Sequence, residues 1–448
     1  MACKGSGVRS SSAPHFKFPI FVKLYDNFMP DVISQRIAAI LSILLFFVLF
    51  NTLSFLPNPW LERHEIALWV FLAIFFLLLI ITDDIKVTFS LRQWPLWLFL
   101  ISMSGGIINA TSKVSARQMY LHILIPFFTL FYIGKYLVSS HKNIKTITTI
   151  FCGCAIVISF IAILELIFHR NILYEKFVHN DFYKRYITGY ARPMSTLANP
   201  AILGSTLLGM LPFNFLLLKS TRLALKIIGW IFFSFILIII LLTASRGVFI
   251  GLIIALIFYL WQIKQKWIVT ALVSAVCACI IISSYTNNPS FNRFGFKKLI
   301  YGTNDSVLSI YRFNRIKITL KMLHDYPIFG VGLNNFRKRF TQYCPASELK
   351  TGYEFKVPDN MYLALLAETG IFGLVCFLIF IVWLLKKGLE RLQLLNVSKG
   401  YDFLLMSVTA LIGLLVNMGA YDLFYWYNPY MLFCLLCGFI YGLSIEPK

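Results

Sequence analysis

The chain has 448 residues, 58% of them hydrophobic and 13% charged, and a formal net charge of +22. Its mean hydropathy is +0.75. Soluble domains carry roughly twice that share of charge, so composition excludes a soluble protein and predicts an all-α polytopic membrane protein. Barrel strands are excluded too, because the apolar segments are too long and too uniform for them.

Residues 1–36 read as a cytoplasmic N-terminal segment, since Met1 to Gln35 is polar and irregular and shows no cleavable signal peptide. Crossing the hydrocarbon takes about 20 apolar residues. Twelve such spans are predicted, at Ile37–Leu56, Glu65–Thr82, Pro95–Asn109, Met119–Val138, Ile147–Phe168, Asn199–Lys219, Ala224–Thr243, Gly247–Trp261, Trp267–Ser284, Met361–Leu385, Phe403–Met418 and Tyr425–Leu443. The first nine occupy residues 37–284. Residues 285–358 form a large loop, and 359–448 hold the last three spans and a short cytoplasmic tail. Seven of the nine cysteines lie inside predicted spans, where Cys behaves as a small hydrophobe. Cys434 and Cys437 have CxxC spacing but no second pair, so packing is preferred over metal or redox chemistry.

With the first span starting inside, the cytoplasmic connections carry thirteen Lys/Arg and the short outer connections four, namely Arg63, Lys113, Arg117 and Arg246. That asymmetry puts both termini in the cytoplasm. Two outer loops run against it. Arg170 to Arg192 adds five positive charges, and Ser284–Pro358 holds twelve Lys/Arg against four Asp/Glu, a net of +8. A cationic loop placed against the bias predicts an anionic partner. Within it, Phe313, Ile316, Leu320 and Leu323 recur at helical spacing, with Arg315, Lys317 and Lys321 off the stripe. This predicts a basic amphipathic helix over Arg312–Leu323 at the membrane surface, ended by Pro327 and the turn at Gly330-Val-Gly332.

Three arginines fall at the outer boundary. Arg192 precedes Pro193, Arg246 sits in the tight connection Thr243-Ala-Ser-Arg-Gly247, and Arg312 opens the amphipathic helix. A guanidinium stays charged and offers phosphate a planar fork, so several converging would suit a pyrophosphate. The alternative is that they are interfacial anchors reaching lipid headgroups. Asp359 begins the tenth span and Glu368 follows about two turns later. A carboxylate near lipid is costly unless it pairs or functions, and either residue could act as general base on an acceptor hydroxyl. The competing role for Asp359 is a carboxylate favoured at a helix N-terminus. For Glu368 it is pairing with a basic neighbour.

Four ordered segments resemble the O-antigen ligase and polymerase superfamily of bacterial surface-polysaccharide assembly. They are Arg192-Pro-Met-Ser-Thr196 with Asn199-Pro200; Thr243-Ala-Ser-Arg-Gly247; Arg312 followed by Asp325-Tyr-Pro-Ile-Phe-Gly330-Val-Gly-Leu-Asn-Asn-Phe336; and Asp359-Asn-Met-Tyr-Leu363 with Glu368-Thr-Gly370. The resemblance covers roughly Ile37 to Leu443. It implies a membrane glycosyltransferase of the inner membrane that moves a glycan from undecaprenyl pyrophosphate to a hydroxyl of lipid A-core or of another lipid-linked glycan on the periplasmic face. It implies no metal, no cofactor and no nucleic-acid partner. Positions matching Arg192 and Arg246 hold the pyrophosphate, and the late loop carries the base. One departure matters: ligases of this superfamily typically have His-Asn where this chain has Asp359-Asn360.

The competing class is a transporter or flippase of lipid-linked oligosaccharides, which also has about twelve spans. Its charge would line a path within the spans. Here Lys135, Glu165 and Glu368 are the main ionisable groups in the spans, and charge concentrates in the outer loops. A scaffold touching anionic lipid through its basic loop would not need the ordered motifs.

Overall fold

Apolar sequence that cannot hydrogen-bond to lipid must satisfy its backbone locally, and every regular element among the described residues is helical. The computed structural model describes residues 91–138, 141–168, 192–197, 199–219, 222–265, 306–344, 357–395 and 400–445, together with Leu77. In the helices opening at His141 and Ser306, side chains are described from Ile144 and Asn314 onward. All of these residues belong to one unit, Phe46–Lys448.

The helices are α1 (Trp94–Gly105), α2 (Lys113–Leu137), α3 (His141–Phe168), α4 (Pro200–Leu218), α5 (Leu223–Leu242), α6 (Arg246–Gln262), α7 (Ser306–Asp325), α8 (Phe336–Tyr343), α9 (Met361–Leu394), α10 (Tyr401–Met418) and α11 (Tyr427–Ser444). Among the described residues seven helices are long and apolar enough to cross a membrane, and α1 and α6 are shorter apolar helices. These nine coincide with nine of the twelve predicted spans. The predicted spans Ile37–Leu56 and Trp267–Ser284, and Glu65–Thr82 apart from Leu77, lie outside the described residues.

Several helix ends differ from the apolar runs. α2 begins at Lys113, ahead of Met119, because the Ser112 hydroxyl accepts from the Ser115 amide at 3.4 Å and caps it. α9 continues to Leu394, past the predicted Leu385, since no Gly-Pro signal stops it there. α7 starts at Ser306, so Arg312 lies inside this helix and does not open it. Ser306 to Tyr311 contains no Gly or Pro to halt propagation, whereas Gly302 precedes it.

Small residues set the tightest contacts. A Cβ at Gly438 of α11 would lie 2.3 Å from the Phe131 carbonyl oxygen of α2, and one at Gly251 of α6 would lie 2.5 Å from the Gly413 carbonyl oxygen of α10. Backbones approaching this closely are how helices gain packing in lipid, where the hydrophobic effect between them is weak.

α9 is broken. Gly370 has φ 69° and ψ −168°, a region essentially reserved for glycine. The break frees backbone groups, and the segment after α7 satisfies them. Val331 N and Gly332 N donate to the Ala367 and Glu368 carbonyls at 2.8 and 3.0 Å, while Ile371 N donates to the Pro327 carbonyl at 2.9 Å. Leu333 N reaches the Gly106 carbonyl at the end of α1 at 2.9 Å. The predicted turn at Gly330-Val-Gly332 is therefore inserted between α1 and α9.

α7 packs on α8 and α9 through Ile318, Met322, Val331, Phe336, Phe340 and Ala367. Of its predicted stripe, Ile316 is 40% and Leu320 52% exposed, while Arg315 is buried. The face of α7 that packs, carrying Ile318 and Met322, is therefore not the stripe that the periodicity picks out.

Candidate functional site

The Arg192 turn is built by a carboxylate from α3. Glu165 Oε2 accepts from the amides of Met194 at 2.9 Å and Ser195 at 2.7 Å, and the Ser195 hydroxyl donates to the Ile158 carbonyl at 2.7 Å. With the turn pinned, Arg192 Nε donates to the Thr243 carbonyl at 2.8 Å. Thr243 belongs to the same turn as Arg246, so the first two motifs meet. Arg246 is the first residue of α6.

From there the contacts continue to Asp359. At Gly247, beside Arg246, an added Cβ would lie 2.6 Å from Asn417 Oδ1 and 2.7 Å from Ala420 at the end of α10. The connection that follows α10 runs beside the start of α9. Asn360 Nδ2 donates to the Gly419 carbonyl at 2.7 Å, and Phe424 N points at Met361 Sδ at 3.4 Å. Arg192, Arg246 and Asp359 therefore lie on one continuous set of contacts at one end of the helices.

Asp359 is not the cap of α9. Asn360 fills that role, its Oδ1 accepting from Tyr362 N at 2.9 Å and Leu363 N at 3.1 Å. Asp359 stands one residue ahead of that cap, still at the helix N-terminus. The Asp359 carboxylate instead accepts from Arg315 Nη1. The Arg315 side chain is 7% exposed and that of Asp359 is 39% exposed, so the base candidate is open on one side and held on the other. A second carboxylate, Asp422, is buried in the α10–α11 connection. It accepts from Trp426 Nε1 at 3.4 Å. Burial, and then the charge of Asp359, push its carboxyl up to about 6.

Glu368 is enclosed. Its oxygens accept from Asn334 N at 2.8 Å, from Phe336 N at 3.1 Å and from the Tyr425 hydroxyl. The predicted basic partner is replaced by backbone amides and a phenol, because the loop before α8 folds back onto the helix. This carboxylate ties the loop, α9 and the last connection together. The loop is secured elsewhere by Arg339, which donates to Thr111 Oγ1 at 2.8 Å and to the Asn109 carbonyl at 3.2 Å and stacks over Tyr326. Asp325 accepts from the Tyr343 hydroxyl at 2.6 Å, which holds its carboxyl below the usual range.

Backbone strain follows the motifs. Among the described residues, five non-glycine positions have positive φ: Ser195, Ala244, Lys264, Asn334 and Asp359. Four of these fall one in each motif; Lys264 follows the far end of α6. A left-handed non-glycine residue costs of order 1–3 kcal/mol and persists where surroundings over-determine it, commonly at functional sites.

Of the predicted site residues, Arg192, Arg246 and Asp359 stand on turns linked in series by these contacts, and Glu368 is a buried support of the loop. Arg312 is on α7, with its side chain outside the described residues. Sequence reasoning passed over Arg315, seen only as a basic residue off a stripe, and over Asp422. A carboxylate in the short aromatic connection Gly419-Ala-Tyr-Asp-Leu-Phe-Tyr-Trp426 was the available signal.

These helices, with arginines and a carboxylate gathered at one end, define a multi-pass membrane protein. Residues 231–378 match the family model described as O-Antigen ligase. The match supports the O-antigen ligase/polymerase superfamily, and with it a ligase/polymerase-type membrane glycosyltransferase acting on lipid-linked glycans. It includes Arg246, Arg312, Arg315, Asp359 and Glu368, and leaves Arg192 and Asp422 outside. No curated protein matches the chain.

Proposed function

We propose that the protein transfers a glycan from undecaprenyl pyrophosphate to an acceptor hydroxyl, of lipid A-core or of a second lipid-linked glycan, on the periplasmic face of the inner membrane. Its large basic loop, residues 285–358, lies on that face. The observation that carries this reading is the meeting of the Arg192 and Arg246 turns through the Arg192–Thr243 hydrogen bond, on the same contact path as Asp359.

The acceptor oxygen attacks the anomeric carbon as the bond from that carbon to the pyrophosphate oxygen breaks. The leaving electron pair goes to the pyrophosphate, whose charge Arg192 and Arg246 neutralise, with Arg312 as a third donor. The hydroxyl proton goes to the Asp359 carboxylate and from there to water. Glu368 acts by holding the loop and not by touching the reacting atoms.

Expression of Asp359→Asn in a deletion strain tests the reading, because the variant keeps the shape and removes the base. The variant is expected to insert normally and to leave lipid-linked glycan accumulating, with no polysaccharide product on gels. Wild-type product from Asp359→Asn would overturn the role of Asp359. In the deletion strain itself, loss of long chains from lipid A-core identifies a ligase, and a single-repeat product identifies a polymerase.

A further inference from the structure

The connection from α10 to α11, Gly419 to Trp426, is pinned by α9 and α2. Asn360, one residue after Asp359, donates Nδ2 to the Gly419 carbonyl at 2.7 Å, and the Tyr425 hydroxyl donates to Glu368. From α2, His122 Nε2 donates to the Phe424 carbonyl at 2.9 Å. The connection is thus held against the start of α9, yet its own carboxylate is short of partners. Asp422 is 5% exposed, and a buried carboxylate is costly unless hydrogen bonds replace its water. Glu368, also buried, has three donors. Beyond its own amide, Asp422 has one donor among the described residues, Trp426 Nε1 at 3.4 Å, longer than the usual N–H···O range. It precedes the short 3-10 helix Leu423–Tyr425 without its side chain capping it. An ionised carboxylate offers about four lone-pair sites, and here most are left over in a connection that is otherwise fixed.

Trp426 adds an aromatic surface. Its half-buried ring lies nearly parallel to that of Tyr421, with centroids 6.0 Å apart and planes at 14°. A carboxylate repels a pyrophosphate, and a metal ion needs more ligands than the one that stands here. A sugar ring fits both features, because its hydroxyls donate and its C–H face suits the negative face of an aromatic ring. We propose that Asp422 and Trp426 form a glycan subsite beside the start of α9. The carboxylate accepts hydroxyls of one sugar residue of the substrate, and the indole lies against that sugar's face. This inference rests on the substrate being a glycan and is independent of which residue is the base.

Binding and stability should move apart, and that separates the proposal from a merely structural role. Asp422→Asn keeps the shape and removes the charge. It should weaken glycan binding about tenfold or more, the worth of a hydrogen bond to a charged acceptor. It should melt no lower than the parent, because a buried charge with too few partners has been removed. A carboxylate that only braced the connection would give the reverse, lower melting with binding by the folded protein unmoved. Trp426→Leu fills much of the space without an aromatic face and should also weaken binding about tenfold, whereas Trp426→Phe should retain most of it.

The full-length protein in detergent would be titrated by saturation-transfer NMR, which reads weak binding without turnover. Two probes are used: the glycan released by mild acid from the lipid-linked glycan of a deletion strain, and the core oligosaccharide released likewise from its lipopolysaccharide. Binding of either probe to the parent, lost in Asp422→Asn and Trp426→Leu and kept in Trp426→Phe, bears the proposal out, and the probe affected identifies donor or acceptor as the occupant. Failure of both probes to bind the parent overturns it, as does unmoved binding in either folded variant. If Asp422→Asn does not insert, the comparison of Trp426→Leu with Trp426→Phe decides alone. Transfer assayed in parallel separates the two readings. Full transfer by Asp359→Asn removes the base and leaves the subsite standing, whereas normal transfer by a parent whose glycan binding ignores these substitutions removes only the subsite.

Discussion

Two carboxylates on apolar helices each grip the backbone of a motif, and they do so differently. Glu165 sits in the last turn of α3, half-buried, and accepts two amides from the turn that carries Arg192. Glu368 is buried two residues before the break in α9 and accepts two amides and a phenol. Each motif also contains a strained non-glycine residue, Ser195 in one and Asn334 in the other. Glu165 holds a short turn that presents its arginine directly. Glu368 holds a longer loop that presents no site arginine of its own, yet seats α7, and α7 brings Arg315 to Asp359. One carboxylate therefore serves the arginine side of the site, and the other serves the base side through a packed intermediary.

The largest expected effect lies at the arginines themselves. Arg192→Lys and Arg246→Lys keep the charge and lose the planar fork, and each should reduce transfer by about 10²–10³-fold, the usual loss for one preorganised donor to developing negative charge. Transfer would be measured with extracted lipid-linked glycan. Near-normal rates with lysine at either position would show that charge alone suffices there.

Next come the two carboxylates. Glu368→Gln keeps the shape but offers only one accepting oxygen to three donors, leaving at least one buried donor unsatisfied at about 1–3 kcal/mol. Glu165→Gln, half-exposed and with two donors, should cost less in stability and show itself chiefly as weaker donor binding through a loosened Arg192 turn. Melting of the purified variants in detergent ranks them, and Glu165→Gln melting lower than Glu368→Gln would invert the comparison. Gly370→Ala attacks the same support from the backbone. Its Cβ would lie 2.2 Å from the Ile328 carbonyl oxygen, at φ +69°, so it should destabilise at least as much as Glu368→Gln.

The spans were legible because hydropathy reports lipid contact residue by residue, and nine of them coincide with described helices. Their ends were less legible. α2 is extended by the Ser112 cap, and α7 by an uninterrupted run from Ser306. The motifs pointed to Arg192, Arg246 and Asp359 because each stands at the edge of an apolar run. Arg315 and Asp422 could not be read the same way. Arg315 meets a partner 44 residues away, and the apolar stripe beside it directs attention to the opposite face of α7. Glu165 was visible only as a charge within a span, since its partners are backbone amides, which leave no trace in residue type.

The smallest expected effect isolates the strain itself. Ala244 has φ 49° in the turn that carries Arg246, and its methyl group makes no hydrogen bond. For a residue with a Cβ, the left-handed region costs roughly 1–2 kcal/mol. Glycine removes that cost but adds backbone entropy to the unfolded chain, worth roughly 0.5–1 kcal/mol in the other direction. Ala244→Gly should therefore change the melting temperature little, and upward if at all. The same freedom should let Arg246 wander from the Arg192 turn, so donor KM should rise while kcat is less affected. Ala244→Val supplies the opposite case, since a β-branched residue tolerates positive φ poorly. It should melt lower than the parent. If Ala244→Gly instead melts well below the parent, the turn is not strained in the sense argued, and the shared left-handed residues are a by-product of tight connections and not a device for aiming arginines.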